Sequence, residues 1–286
     1  MTDLQHALDL PRLLAQAGEV LDAATPDFVA GLGAPGTVAK GGYDFATDVD
    51  LSLERAVVDQ LQRRTGIEVH GEEFGGPDLA TGAAWVLDPI DGTVNYSAGL
   101  PIAAMLLALV VDGEPVLGVT RMPLVGRAFA GYVGGGFTVD GEPAEPLADT
   151  DLGHAMVGFG SYNLRAGGRY PGAVRADLAG RLSYRAGRLR MSGSAGADAA
   201  WVAAGMFGGA ISFSRHAWDN AAGAAMVRAA GGLATDLEGR PWTVSSRAMV
   251  TGAPGLHEEL MAVVGECDWP HRPTEQPDST DREAQP

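Results

Sequence analysis

The chain has 286 residues, with 20 Lys plus Arg against 36 Asp plus Glu and a formal net charge of −16. With no basic run longer than Arg63-Arg64, it lacks the electrostatic footprint for gripping nucleic acid or an anionic membrane. At 46% hydrophobic and 20% charged residues the composition is that of a globular protein with a substantial core, in one large domain or two that share an interface.

The predicted elements begin with a helix over residues 10–29, which carries Leu14, Ala17, Leu21, Ala24 and Phe28 on one face behind Asp9 and Pro11. A glycine-rich break at 31–36 follows, then a second helix from Thr47 or Asp48, with Leu51, Val57, Val58 and Leu61 as its buried stripe and Gly66 as its stop. Short apolar runs at 67–70, 85–87, 102–111, 116–122 and 127–133 read as strands of one sheet. Asp112-Gly113 between two of them is a hairpin signal, so a purely parallel doubly wound sheet is not expected. Beyond residue 148 strands (155–159, 189–191, 210–213) alternate with helices (195–204 and one after Trp218). The Gly and Pro cluster at 134–146 marks a junction between an N-terminal half, 1–147, and a C-terminal half, 148–266, packed as neighbouring layers. The Pro-rich polar end, 267–286, is expected to be a disordered tail.

Cys267 is the only cysteine, which excludes an intramolecular disulfide framework and a cysteine-based zinc cage and fits the reducing cytosol. The first ten residues lack the basic-then-apolar pattern of a signal peptide, and the most apolar stretch, 100–111, is too short to span a bilayer. Asn95-Tyr96-Ser97 is a glycosylation acceptor in form only.

Chemistry concentrates where acids end strands. In Trp85-Val86-Leu87-Asp88-Pro89-Ile90-Asp91-Gly92-Thr93, Pro89 cannot continue a ladder, so a turn there aims both carboxylates and the Ile90 carbonyl into one space. Glu72-Glu73 ends another strand, and Asp219 opens a helix rich in Ala and Gly. Together these oxygens suit a hard divalent cation, Mg²⁺ rather than zinc, since no HxxxH pair exists and the histidines are scattered. A single acid in a turn would ordinarily be a cap; three such strand or helix ends in one chain point to a shared site. Gly193, Ser194 and Ala195 at a helix start offer a phosphate contact, with Ser194 as an ordinary N-cap the competing reading. In GFGSYN, 158–163, Asn163 replaces the third glycine of a dinucleotide fingerprint, which discounts that reading.

WVLDPIDGTVNY at 85–96 and WDNAAGAAMVRAAGG at 218–232 resemble the two signatures of the inositol monophosphatase family of Mg²⁺-dependent phosphatases. GEE at 71–73 and DFATDVD at 44–50 are similar to that family in order and spacing, and the whole resembles actinobacterial members most. The resemblance implies an α+β fold, a layered αβαβα sandwich, and a homodimer. It implies that Glu72, Asp88 and the Ile90 carbonyl hold one Mg²⁺, that Asp88, Asp91 and Asp219 hold a second, and that a third leans on Glu72 and water. It assigns Thr93 and Asp50 to orienting and deprotonating the attacking water, and the Gly92 and Thr93 N–H groups to the phosphate. The expected substrate is a small phosphorylated polyol, inositol 1-phosphate first; histidinol phosphate, fructose 1,6-bisphosphate and a 3′-phosphonucleotide are the alternatives. A metal-binding regulatory protein without catalysis is a further one, though Thr93 and Asp50 are both present. Inositol-cleaving members usually carry Glu where this chain has Ser212, which weakens the inositol assignment and leaves the phosphatase chemistry intact. Arg215 beyond it is either a second anion contact or a solvated arginine, and His216 is either a support behind the site or, the favoured reading, a core histidine. The segment 40–45 is either a loop that closes on metal or a plain connection.

Overall fold

The structure, a computed structural model, describes residues 8–41 and 44–270. Helix α1 (Leu10–Ala30) is capped by Asp9, whose carboxylate accepts the Arg12 N–H. Strands β1 (Gly36–Gly41) and β2 (Asp44–Thr47) pair antiparallel. The segment 40–45 is thus largely part of a hairpin rather than a plain loop, with residues 42 and 43 outside the described residues. Helix α2 (Asp48–Thr65) starts at Thr47 in a capping box with Asp50 and stops at Gly66 in the left-handed conformation. Its buried side is Asp50, Leu53, Glu54, Val57 and Leu61. Leu51 and Val58 are only half-buried, because the face is turned toward two acids that the apolar stripe did not include.

Strands β3 (Val69–Gly71), β4 (Ala83–Asp91), β5 (Ala104–Val111), β6 (Glu114–Met122), β7 (Arg127–Tyr132), β8 (Gly136–Val139) and β9 (Glu142–Pro143) form one seven-stranded sheet in that order. Only β3 and β4 are parallel; the other neighbours are antiparallel. Asp112 and Gly113 both have positive φ, as a two-residue hairpin turn between β5 and β6 requires. The Gly and Pro cluster is a continuation of this sheet through β8 and β9, so the junction begins only after Pro143. The short helix α3 (Thr93–Ser97) follows β4 directly.

The second sheet has five strands, β10 (Met156–Phe159), β11 (Arg188–Arg190), β12 (Gly209–Ser212), β13 (Leu233–Thr235) and β14 (Met249–Gly252), in the order β11-β10-β12-β14-β13. Its helices are α4 (Gly172–Arg185), α5 (Ala195–Ala203), α6 (Ala217–Ala229) and α7 (Pro254–Gly265). Of these, α4 and α7, like β13 and β14, have no counterpart in the sequence reading. The chain stays packed beyond the tail boundary placed at 267. Cys267 is buried, and the Trp269 indole donates to the Val264 carbonyl while its ring meets Tyr170 and Phe213, so apolar contact extends the fold there. The remainder of the expected tail, 271–286, lies outside the described residues.

The layers follow from the alternation of β5, which is apolar on both faces. Met105, Leu107, Leu109 and Val111 face α1 and α2, while Leu106, Ala108 and Val110 face α5 and α6. Beyond α5 and α6 lies the five-stranded sheet, whose outer face carries α4 and α7 through Leu178, Leu182, Leu256 and Leu260. The result is an αβαβα sandwich. Its central helices are squeezed between two sheets, and only small residues allow it: a Cβ on Gly223 would lie 2.4 Å from the Ala199 Cβ, and one on Gly118 would lie 2.2 Å from the Ala222 carbonyl oxygen.

Gly118→Ala forces β6 away from the α6 backbone, and the expected loss is about 2 kcal/mol, within the range for overpacked cores. Thermal unfolding measures it; an unchanged Tm would contradict this close approach.

Candidate active site

Asp88 and Asp91 stand three residues apart, so in a regular strand their side chains would point to opposite faces. In β4 they do not. The register against β5 shifts between Asp88 and Asp91, where Pro89 supplies no N–H, and this bulge turns both acids to one side. Asp88 Oδ1 accepts the Ile90 N–H at 2.9 Å, which locks the turn. Gly92 follows with φ of 88°, and a Cβ there would meet the Ile102 carbonyl oxygen at 3.0 Å, so this position is reserved for glycine.

Asp219 arrives from the other half, in the first turn of α6, which starts at Ala217 rather than at Asp219 itself. One carboxylate oxygen from each of Asp88, Asp91 and Asp219 can be chosen so that all lie within 4.8 Å of one another. Glu72 follows β3, its N–H donates to the Leu87 carbonyl, and it lines the same cavity of about 460 Å³ with Ile90, Gly92, Thr93, Gly193, Arg215, His216 and Trp218. The two halves are clasped here by Asn95, whose side-chain amide donates to the carbonyls of Ile102 (2.9 Å) and Ser192 (2.8 Å).

Such crowding is electrostatically unfavourable. Burial, followed by the charges of Glu72, Asp91 and Asp219, holds the Asp88 carboxyl well above the usual range. Burial and the Asp91 charge push Asp219 up to about 8. Burial also raises Asp91, against hydrogen bonds that favour its charged form. Buried hard-oxygen donors that repel one another in this way are a fit for divalent cations, which would neutralise them.

The donors that restrain these acids are specific. Ser194 Oγ (2.5 Å) and Gly196 N (2.7 Å) both donate to Asp91 Oδ2, so the N-terminus of α5 holds a protein carboxylate. Ser194 is also the N-cap, accepting the Ala197 N–H at 3.2 Å. The expectation of a phosphate contact at Gly193, Ser194 and Ala195 is therefore modified, since the buried Asp91 already takes the nearest donors. The Ser214 hydroxyl donates to Asp219 Oδ2.

A second cavity of about 800 Å³ adjoins the first and shares Asp91, Val94, Gly193 and Asp219 with it. Its lining extends into the C-terminal half and includes Asp198, Ser212 and Arg175. Ser212 Oγ accepts the Ser214 N–H at 3.2 Å, so this serine both shapes the turn toward Asp219 and lines the cavity.

The profile of the inositol monophosphatase family matches residues 4–268. The chain belongs to this family. Inositol-1-monophosphatase ImpA of Mycolicibacterium smegmatis is 51% identical over 89% of this chain and 92% of its own length. A protein of Aquifex aeolicus named fructose-1,6-bisphosphatase/inositol-1-monophosphatase is 32% identical over 78% of this chain and 83% of its own length. Among solved structures, a Thermotoga maritima IMPase superposes with a TM-score of 0.78 at 28% identity, covering 87% of this chain and 94% of that one. As a member of the family the protein is a phosphoric monoester hydrolase, and the acid cluster fits the family's dependence on metal.

The expected Thr93–Asp50 pair is arranged differently. The Thr93 hydroxyl donates to the Ile90 carbonyl at 2.9 Å, and Asp50 Oδ2 accepts the N–H (2.8 Å) and hydroxyl (2.5 Å) of Thr47. Asp50 is fully buried and borders neither cavity. His216 is half-buried and stacks on Trp218 at 4.4 Å, at the rim of the smaller cavity rather than in the core. Arg215 is exposed and lines the same rim.

Glu54, Ser214, Asp198 and Arg175 had no place in the sequence reading, and Asn95 entered it only as a formal glycosylation acceptor. Glu54, 0% exposed, accepts the N–H groups of Glu73 and Phe74 at 2.9 Å each and so pins the loop that carries Glu72. Its signal was the spacing from Asp50, four residues along one helix face. Asp198 is an acid inside an alanine-rich helix, which is the trace it leaves in the sequence.

Glu54→Gln opposes an amide N–H₂ to one of those backbone donors. Affinity for a divalent cation, read by calorimetry with Mg²⁺ as probe, is expected to fall about tenfold, as when outer supports of metal ligands are removed. Unchanged affinity would deny Glu54 that role. A pH effect has a definite sign. Raised folded-state values for Asp88 and Asp219 mean that the metal-free fold binds more protons than the unfolded chain above the ordinary carboxylate value of 3.8, so its stability falls as pH rises toward about 8. Scanning calorimetry is expected to show Mg²⁺ raising Tm more at pH 8 than at pH 6; an equal rise would contradict the crowding.

Proposed function

We propose that the protein hydrolyses the phosphate monoester of a small polyol, with myo-inositol 1-phosphate as substrate and Mg²⁺ as its cation. The observation that carries this reading is the convergence of Asp88, Asp91 and Asp219 where two cavities meet, one bordered by metal donors and the other large enough for an alcohol. The relative named inositol-1-monophosphatase, at 51% identity, supports the choice of substrate.

Glu72, Asp88 and the Ile90 carbonyl would hold one cation, Asp88, Asp91 and Asp219 a second, and Glu72 with water a third. Bound divalent cations at such a site acidify water and neutralise a leaving alkoxide. The chain's own part is placement. The loop of Gly92 and Thr93, with Gly193, Ser194 and Ala195 opposite, borders the space for the scissile phosphate. Thr93 and Asp50 are assigned to orienting and deprotonating water, which requires the Thr93 hydroxyl to turn from the Ile90 carbonyl toward the cavity and Asp50, which borders neither cavity, to act through Thr93. Water adds to phosphorus, the P–O ester bond breaks, and a proton ends on the leaving alcohol. Asp91 and Asp219 border the substrate on the phosphate side, and Ser212 meets the polyol in the larger cavity.

The two halves, 1–147 and 148–266, are read as parts of one active unit, since the acids come from both. The single cysteine supports a cytosolic address and the family resemblance supports a homodimer, whose mass light scattering on the purified protein tests. No helix among the described residues is long and apolar enough to cross a membrane.

The test is phosphate release, with and without Mg²⁺, from inositol 1-phosphate, histidinol phosphate, fructose 1,6-bisphosphate and a 3′-phosphonucleotide. Asp91→Asn keeps an acceptor for Ser194 and Gly196 and is expected to fold while losing at least about a hundredfold in turnover. Retained activity in that variant would sink the assigned site. A clear preference for another member of the panel would replace inositol 1-phosphate, and the Aquifex relative's name makes fructose 1,6-bisphosphate the second reading.

A further inference from the structure

One wall of the larger cavity has no regular structure. Residues 160–171 run from the end of β10 to the start of α4 as neither helix nor strand, and Ser161, Tyr162, Asn163 and Ala166 among them line the cavity. Much of the segment's hydrogen bonding is its own. The Ala166 N–H donates to the Asn163 carbonyl, the Gly172 N–H to the Ala166 carbonyl and the Arg165 N–H to Asn163 Oδ1, each at 2.9 Å. Its ties outward lie at the ends: the Gly160 N–H donates to the Ile211 carbonyl, Arg169 pairs with Glu238 at the surface, and Tyr170, 6% exposed, is sunk into the core. A surface ion pair contributes little, so the shape of this wall depends on what holds Tyr170.

What holds it is a triangle of rings. Tyr170 meets Phe213 at 6.3 Å, and Trp269 meets both, edge-on to Tyr170 at 5.6 Å and tilted against Phe213 at 6.2 Å. Arg175 closes the group, since its Nε donates to the Tyr170 carbonyl at 2.7 Å and its guanidinium lies over the Phe213 ring, 4.6 Å from the centroid. Phe213 and Arg175 line the cavity, whereas Trp269 stands behind them, fixed by its indole N–H on the Val264 carbonyl of α7 at 2.9 Å. Edge-on and tilted rings attract directionally as well as through the area they bury, so the triangle fixes positions and does not only fill space. Trp269 lies past the end of α7 at Gly265 and just beyond the residues that the family profile matches, which end at 268. The wall is thus completed by a side chain that the family pattern does not supply.

We propose that the C-terminal segment acts as a strap behind the alcohol cavity, with Trp269 as a positioning residue. Through Tyr170 and Phe213 it sets the shape of the wall against which the alcohol part of the substrate lies, and so sets which alcohol the enzyme prefers. This rests on the polyol-phosphate reading above and adds a determinant of its specificity. The acids of the metal-binding end have other supports, the Pro89 turn for Asp88 and Ser194 with Gly196 for Asp91, so the strap acts on the alcohol and not on the cation.

The test compares Trp269→Ala in the full chain with the wild type on myo-inositol 1-phosphate and on glycerol 2-phosphate, whose smaller alcohol fills less of the cavity. The ratio of kcat/KM, inositol ester over glycerol ester, is expected to fall about tenfold, through KM for the inositol ester with kcat kept, the scale of a methylene-sized misfit in a pocket. Mg²⁺ affinity, read by calorimetry, is expected to stay at the wild-type value. An unchanged ratio overturns the strap, as does equal impairment of both esters, the mark of a purely structural residue. Loss of Mg²⁺ affinity also overturns it, because Ser214 follows Phe213 and would then have carried the effect to Asp219. Should Trp269→Ala lack a cooperative thermal transition, Trp269→Leu, which keeps apolar bulk without the rings, decides by the same ratio. Hydrogen exchange answers without turnover: the variant is expected to exchange faster than the wild type over 160–171 and alike over 88–97, and equal protection over 160–171 overturns the proposal. If the wild type releases phosphate from neither ester, the polyol-phosphate reading fails, and the exchange measurement then decides the strap by itself.

Discussion

Mutual repulsion among buried and half-buried carboxylates is the constraint around which the molecule is arranged. Glu72, Asp88, Asp91 and Asp219 come from three different places in the chain and face one small space. Each needs a local device to be held there, because nothing about four acids in a low-dielectric seam is stable by itself. Asp88 is fixed by the turn at Pro89, Asp91 by Ser194 and the amides of α5, Asp219 by Ser214, and Glu72 by a loop tied to Glu54. The devices are themselves buried or half-buried, so the site extends one layer beyond the groups that face the cavity.

That outer layer explains the central pair of helices. The N-terminus of α5 must reach Asp91, and the first turn of α6 must bring Asp219 beside it, while both helices lie between two sheets. Bulky side chains would separate the layers and with them the acids. The alanines and glycines of α5 and α6 are therefore as much part of the site as the carboxylates: at Gly196 a Cβ would stand 2.9 Å from Asp91 Oδ2 and 2.3 Å from Leu106. Core packing and the geometry of the acid cluster are here one requirement, which is why the cluster falls between the two sheets.

The parts of the fold that were legible in the sequence are those with a strong local signal. Thr47 and Gly66 bracket α2, Asp112-Gly113 turns β5 into β6, and the unusual DPIDGT run marks the bulge that carries two acids. What was missed depends on tertiary contact. Helices α4 and α7 have ordinary amphipathic sequences whose role appears only against the outer face of the second sheet. The hairpin of β1 and β2 lies in a glycine-rich stretch that reads locally as a connection. Asp50 shows how a singled-out residue can stand differently in space: its carboxylate closes the capping box of its own helix, a local partner that the family pattern does not mention.

The metal-binding end and the alcohol end differ in how far sequence can specify them. Cation binding needs particular atoms, so its residues are short-range motifs that survive as recognisable strings. The larger cavity is a shape, bounded by β10, β12, α4 and α5, and residues as distant in sequence as Phe159, Arg175, Asp198 and Ser212 meet there only because the layers close. Asp198 illustrates this. Burial pushes its carboxyl up to about 7, and it fits against β10 only because position 158 is glycine, where a Cβ would come within 2.9 Å of its carboxyl carbon. Neither fact follows from the string AGAD. Reaction type is thus carried by motifs, whereas the set of charges that lines the alcohol cavity, Asp91, Asp198, Asp219 and Arg175, is a property of the folded layers.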